Sequence, residues 1–466
     1  MSRINTNVSS LIAQRVLTKN NSALNKSLER LSTGLKINTG ADNPAGLIAS
    51  ENLRSEKAGI AQAIDNAGRA SNIIGTAEGG LSEVSSLLTE IQSLVSQSAN
   101  TGGLSKEEIA ANQLQVDSIL ATVNRIAQAT SFQGTKLLNG NYSYTTSGVA
   151  STSFDNVRIN AARVPDGGTV NVVIQVTASA QTGQINYTSG ALTDNVTIEV
   201  AGNTGTEQLS FSSGTTVSSI ANAINAVTTA TGVSASVAGG NLTVNSTSYG
   251  GDQFVSLKTI AGTFTPDTSK DYGRNAAVTI NGAEAQVQGL SVSYRSSNLD
   301  VEFDLDSSFN AANTGSFTVT GGGATFSLGS KVTETDKASI GIASVSTGSL
   351  GDSISGYLSQ LASGGTASLS SANLVTAQKI VDKAIKQVSQ LRGRLGAFQK
   401  FTIGSTINSL GVAFENVSAS ESAIRDTDFA EETANLTRSQ ILASAATTVL
   451  AQANASPQAA LSLLRG

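Results

Sequence analysis

The chain has 466 residues, a net charge of −5, 39% hydrophobic and 14% charged residues, 45 glycines, and no cysteine, histidine or tryptophan. So long a chain outgrows a single hydrophobic core, and about two to four domains are expected. Without histidine or cysteine, Ser-His-Asp and Cys-His nucleophiles, imidazole- or thiolate-held metals and disulfides are all excluded; no basic patch offers the electrostatic footprint of a nucleic-acid binder.

Met1–Asn7 lacks the basic-then-apolar layout of a cleavable leader, and no apolar run reaches the roughly 18 residues of a membrane span. Neither Sec export nor membrane insertion is therefore expected. The first helical pattern comprises Ile4, Val8 and Leu11, followed in a different phase by Leu24, Leu28, Leu31 and Leu35 at heptad spacing. A break spans Gly34 to Gly46. Within it, Gly40 to Gly46 holds no lysine beside its glycines, so that stretch reads as a turn and not as a phosphate cradle. Asn43 suits a helix N-cap and Pro44 the first helical position.

From Pro44 to about Asn100 there is no further proline, and Ala77, Leu81, Val84, Leu88, Ile91 and Val95 repeat at alternating four- and three-residue steps. Thr101-Gly102-Gly103 ends this helix. Ser105 and Glu108 form a capping box for the next, whose face is Val116, Ile119, Val123 and Ile126.

The pattern then changes to Ser/Thr/Gly-rich alternation across 141–350. Strands are predicted at 169–176, 195–200, 233–236, 241–245, 278–280, 291–294, 301–305 and 317–320, with a hairpin at Gly239-Gly240 and a short helix over Val217–Val227. Asp300, Glu302, Asp304 and Asp306 alternate along one strand and share a face. Oxygen ligands of this kind suit Ca²⁺, but no loop wraps them, and a solvated face that discourages edge pairing is the expected reading.

Helical periodicity returns with Leu374, Ala377, Val381, Ala384, Val388, Leu391, Leu395 and Phe398, then, after a phase shift, with Ile403, Ile407, Leu410, Phe414 and Val417. Asp426, Asp428, Glu431 and Glu432 mark the start of another helix, because acidic groups favour the N-terminal end of a helix dipole. Leu442, Ala446, Val449 and Ala453 form a small-residue seam, Pro457 interrupts it, and Leu461 and Leu464 finish it.

The fold class is thus α+β and multidomain: a long antiparallel helical coiled coil or bundle built from both termini, with a β-rich central insert of one or two modules. The seams of Pro44–Ile126 and Leu374–Val417 are expected to bury one another within a subunit. Those at the extreme ends, Ile4–Leu35 and Leu442–Leu464, are expected to need another copy, because a two-helix pair is marginal alone. No catalytic, cofactor or metal site is expected.

Ser22–Asn38 (SALNKSLERLSTGLKIN), Asp42, Ala45-Gly46 and Ser98-Ala99-Asn100 resemble the N-terminal region of bacterial flagellins. Ile424–Phe429, Ser439–Leu442, Val449–Asn454 and Leu461–Arg465 resemble the C-terminal region. A stretch at about 190–262, with Ala221–Asn225 and Gly232–Ser236, is similar to the flagellin hook IN motif. The resemblance implies a filament subunit for swimming motility, a helical homopolymer exported unfolded through the flagellar type III apparatus to an extracellular flagellum. It also implies an export chaperone and junction and cap proteins as partners. Domains would be 1–40 with 430–466 as a coiled-coil inner domain, 41–140 with 365–429 as a helical rod, and 141–364 as the exposed variable region. A hook–filament junction protein is the alternative within the superfamily; an adhesive central region is another. Zinc-protease inserts, carried by some flagellins in this region, are excluded here by the missing histidine.

One departure stands out. Flagellins sensed by the animal Toll-like receptor carry Q-R-V-R-E-L-A-V in the long helix. The corresponding stretch is Thr89–Ser96, where Leu94 matches but Glu90 and Gln92 replace both arginines. That exchange loses two guanidinium forks and is not conservative.

Overall fold

The computed structural model describes residues 6–100, 102–165, 167–371 and 373–465, with side chains described as far as residue 456. Helices α1 (Val8–Thr33), α2 (Pro44–Ser98) and α3 (Lys106–Ala129) precede the strands; α4 (Val217–Ala226) and α5 (Thr228–Thr231) lie among them; α6 (Leu374–Ala397), α7 (Ser405–Arg425) and α8 (Phe429–Arg465) follow. Two compact units emerge: Met1–Gly68, Ser327–Asp336 and Gly404–Gly466 form one, Arg69–Phe326 and Lys337–Ile403 the other.

Local chemistry fixes the helix ends. Asn43 Oδ1 accepts the Gly46 N–H at 2.9 Å, and Pro44 opens α2. At α3, Ser105 Oγ accepts from Glu108 N at 3.2 Å while the Glu108 carboxylate accepts from Ser105 N at 2.7 Å, closing the capping box.

In the larger unit, Ala70, Ile74, Ala77, Leu81, Val84, Leu88, Ile91 and Val95 of α2 are all 1% exposed or less. On α6, Ala377, Val381, Ala384, Val388, Leu391 and Leu395 are enclosed to 3% exposure or less, and Leu374 and, just past its end, Phe398 are half-buried. The two helices run antiparallel: Gln92 Nε2 donates to Asp382 Oδ1 at 2.8 Å, Arg392 pairs with Glu78 at 2.7 Å, and Gln399 Nε2 reaches Ser71 Oγ at 3.0 Å. Each large apolar side chain so buried contributes roughly 1.5–3 kcal/mol. Helix α3 adds buried Val116, Ile119 and Val123, with Ile126 half-buried. Its Gln113 is bound on both sides, donating to the Leu361 carbonyl at 2.8 Å and accepting from Leu369 N at 2.7 Å.

Phe398–Gly404, between α6 and α7, is π-helical. A π turn spans one residue more than an α turn. It accounts for the five-residue step from Phe398 to Ile403 that interrupts the heptads. Beyond it α7 buries no residue fully: Ile407, Leu410, Phe414 and Val417 are half-buried.

The β-rich region contains two cores, one nested in the chain of the other. The outer core lies between a five-stranded sheet, ordered 283–284, 277–280, 170–178, 313–322, 144–147, and a four-stranded sheet, ordered 286–288, 291–295, 299–305, 154–162. Period-2 alternation sends Val172, Ile174, Val176 and Val301, Phe303, Leu305 inward. Phe154, Phe303, Phe309 and Phe317 meet edge to face at 5.1–6.5 Å. The inner core, within 185–264, packs α4 through Ile220 and Ile224 against strands 184–187, 196–202, 233–238, 241–246 and 254–261. Asn225 brackets Ala235, donating to its carbonyl and accepting from its N–H, both at 2.8 Å. Gly239 and Gly240 make the hairpin turn with φ of 59° and 84°, a pair of positive values that L side chains resist.

The acidic row is absorbed by neighbours. Asp300 pairs with Arg295 at 3.3 Å and accepts from Asn160 at 3.1 Å; Glu302 pairs with Arg295 at 3.3 Å; Asp304 accepts from Asn156 at 2.9 Å and from Ser291 Oγ at 2.5 Å. Asp306 lies past the strand and caps a short 3₁₀ turn.

Candidate polymerisation interface

Helices α1 and α8 form an antiparallel pair in the smaller unit. Asn7 caps α1 by accepting from Ser10 N at 3.1 Å, and Gly34 ends it at φ 72°, its N–H donating to the Arg30 carbonyl at 2.8 Å. Asp428 starts α8 by accepting from Ala430 N at 2.8 Å and Glu431 N at 3.2 Å. Backbone bonds join the two breaks: Lys36 N donates to Arg425 O at 2.7 Å and Thr427 N to Gly34 O at 2.9 Å. Inside the break, the Asp42 carboxylate pairs with Lys26 at 2.7 Å and accepts from Thr39 N at 2.9 Å and Asn38 N at 3.2 Å. Lys26, then these backbone donors, hold its pKa far below the carboxylate range.

The contact between α1 and α8 is made of small and polar side chains. Ser10, Ala13, Ser27, Glu432 and Ala446 are buried, flanked by half-buried Leu17, Asn20, Leu24, Leu31, Leu436, Ala443, Leu450 and Ala453. Small residues permit close approach, and side chains of one helix reach backbone carbonyls of the other. Asn20 Nδ2 donates to Leu442 O at 3.1 Å and Asn7 Nδ2 to Ala453 O at 2.8 Å. The second bond corrects the expectation that Pro457 interrupts this stretch. Helix α8 runs on to Arg465. A proline at 457 has no N–H for the carbonyl four residues earlier, which is that of Ala453, and Asn7 supplies the missing donor. Ser10 Oγ also bonds Asn454 Oδ1 at 2.6 Å, and Arg30 pairs with Glu432 at 3.4 Å.

The expected seam residues therefore divide. Val8, Leu11, Leu28, Leu442 and Val449 are 47–58% exposed. Leu24, Leu31, Leu35 and Ala453 are half-buried and Ala446 is enclosed. Ile4 lies outside the described residues, as do the side chains of Leu461 and Leu464. The expected phase is thus corrected: Leu28, Leu442 and Val449, read as members of the same seams as Leu24 and Ala446, lie off the paired face. Sequence reasoning also missed Ile12, Val16, Phe429 and Ile441, exposed by 42–64%. Val8, Ile12 and Val16 stand four residues apart, and with Leu11 they fall on the face of α1 opposite Ser10, Ala13 and Leu17. That four-residue stripe was the available signal.

In the receptor-motif stretch Glu90 is exposed, Gln92 is held by its bond to Asp382, and Leu94 is 7% exposed within the core of the larger unit.

These helical ends and the nested module coincide with three family models: the bacterial flagellin N-terminal helical region over 4–143, the C-terminal helical region over 378–464 and the flagellin hook IN motif over 184–248. Flagellin B of Vibrio cholerae serotype O1 is 31% identical over 462 residues, covering 99% of each chain. The chain belongs to the bacterial flagellin family. Flagellin D of Vibrio cholerae is 30% identical over 461 residues, again with 99% of each chain covered. The solved FliC structure from Burkholderia pseudomallei is 17% identical and covers 71% of this chain and 99% of that one at a TM-score of 0.25, too weak a likeness to carry an argument. This flagellin is a structural component of the flagellar filament; relatives named as flagellins along the whole chain favour that role over a junction protein. Among its described residues no helix is long and apolar enough to cross a membrane.

Proposed function

We propose that the exposed apolar side chains of α1 and α8 are the contacts through which one copy of this flagellin recruits the next. The observation that supports this is the inverted burial of the pair, which encloses Ser10, Ala13 and Ala446 while Leu11, Ile12, Ile441 and Val449 face solvent. An apolar face this long is unusual on a monomer and is covered by association. A contact repeated head to tail with a non-closing rotation yields a helical tube. In this reading residues 1–40 with 430–466 line the tube, 41–140 with 365–429 form its wall, and 141–364 project outward. The subunit leaves the cell unfolded through the flagellar type III apparatus, attended by an export chaperone, and meets junction and cap proteins at the filament ends. Its chemistry is mechanical and not enzymatic. Removing residues 436–466 strips α8 of most of its length, and sedimentation of purified protein after seeding is expected to find only monomer; filaments of ordinary length would overturn the proposal.

The same reading extends to host sensing. With Glu90 and Gln92 in place of two arginines, a Toll-like-receptor reporter assay is expected to register little or no response, and Glu90→Arg with Gln92→Arg is expected to raise it. Potency of the unaltered protein equal to that of an arginine-bearing flagellin would sink this point.

A further inference from the structure

Arg158 on strand 154–162 and Arg394 on the last turn of α6 share one cleft of about 250 Å³, walled by Val157–Asn160, Gly341, Ala343–Val345, Leu350 and Leu391 among others. No carboxylate lines it among the described residues. Arg158 donates to the Gly351 carbonyl at 3.2 Å, and the Nε of Arg394 is buried without a hydrogen-bond partner. Nearby acids are committed elsewhere: Glu302 to Arg295 at 3.3 Å, Asp352 to Lys383 at 2.7 Å and Asp304 to Asn156 at 2.9 Å. Burial, the largest cause, lowers the pKa of both arginines; the charge of Glu302, with Asp352 and Asp304 on Arg158 and Asp300 on Arg394, offsets this in part, and the charge of Arg158 lowers that of Arg394 further. Both nonetheless remain cationic at neutral pH. Carboxylates beyond the cleft, Glu302 above all, partly offset the two like charges, but none enters the cleft to bond the forks, and a guest anion would complete their pairing.

We propose that this cleft binds a small tetrahedral oxyanion of the phosphate class. Guanidinium forks match phosphate oxygens in pairs, which a lysine point charge does not. The volume selects the size of the guest. It is several times the roughly 30 Å³ share of one water and falls below the roughly 300–1,000 Å³ of sites for drug-sized organic ligands. Bound there, the anion ties strand 154–162 of the outer β-core to α6, both within the larger unit.

Direct binding is the appropriate test, since phosphate also stabilises proteins generally by exclusion from their surfaces. Equilibrium dialysis of inorganic phosphate against the full-length monomer, at constant ionic strength, is expected to show one saturable site with a Kd of about 1 mM or tighter. Arg158→Gln and Arg394→Gln are each expected to weaken it roughly tenfold or more. Arg394→Lys, which keeps the charge but loses the fork and guards against a misfolded Gln variant, should fall between. Arg392→Gln, whose side chain pairs with Glu78 at 2.7 Å, should leave binding unchanged. No saturable binding to the unaltered chain, or affinity that survives both Gln substitutions, overturns the proposal; so would a cleft that accepts only the carboxylate of a second copy, visible as binding lost in monomer and absent from phosphate titrations.

Discussion

Helices α2 and α6 bury Leu81, Leu88, Ile91, Val388 and Leu395 to 1% exposure or less, whereas α1 and α8 bury Ser10, Ala13, Ser27 and Ala446 and leave Leu11, Ile12, Ile441 and Val449 about half exposed or more. Both pairs are antiparallel, and both join the two ends of the chain. The first spends its large apolar side chains on its own subunit. The second closes with small side chains and with amide-to-carbonyl bonds such as Asn7 to Ala453, holding its large side chains back. Helical pairing and hydrophobic burial are thus separable: a pair can form while reserving apolar area for another molecule.

The largest effect is expected where burial is complete. Leu88→Ala removes a side chain with no exposure and should cost about 2–5 kcal/mol, as transfer and cavity terms add. Urea unfolding of the monomer should show a lower midpoint at unchanged slope. A loss below 1 kcal/mol would mean that the α2 face is not the closed core described.

Ala446→Leu probes the second pair in the reverse direction. Ala446 is 7% exposed between close helices, so three added carbons push α8 from α1 and should cost about 1–3 kcal/mol by overpacking. Hydrogen exchange should quicken along α1 and α8 and remain unchanged in α2 downstream of residue 69. Uniform quickening would contradict the independence of the two faces.

The unequal legibility of the two pairs has the same cause. The α2 and α6 seams were readable because the inward positions from Ala77 to Val95, and all but Gln387 from Ala377 to Leu395, are apolar; the sequence showed a phase shift from Phe398 to Ile403, and the π turn behind it needed the structure. In α1 the heptad Leu24, Leu28, Leu31, Leu35 looked like the seam, yet the inward face passes through Ser10, Ala13, Asn20 and Ser27. Serine and asparagine give no hydrophobic signal, so the phase of the contact was invisible while its existence was not. Likewise the strands at 196–202 and 299–305 announced themselves by alternation, whereas the division into two nested cores depends on which strands pair. Arg158 and Arg394 lie 236 positions apart by subtraction of their numbers, and only the fold brings them to one cleft.

The smallest effect on the monomer should accompany the largest on assembly. Leu11 and Val449 are each 58% exposed, and an exposed side chain away from caps and partners typically alters stability by no more than about 0.5 kcal/mol. Leu11→Asp and Val449→Asp should therefore unfold like the unaltered monomer. In a filament, however, each would place a carboxylate in an apolar contact, where an unpaired charge costs several kcal/mol. Seeded growth followed by light scattering should consequently need at least about tenfold more protein, since each 1.4 kcal/mol is a factor of ten in an association constant. Conversely, Thr18→Asp, on an exposed residue whose hydroxyl bonds only the Gln14 carbonyl at 3.0 Å, places the same charge on the same helix and measures the electrostatic background. If all three variants slow growth equally, net charge and not the apolar face governs assembly; if only Leu11→Asp and Val449→Asp do, the side chains the pair leaves uncovered are those the next copy covers.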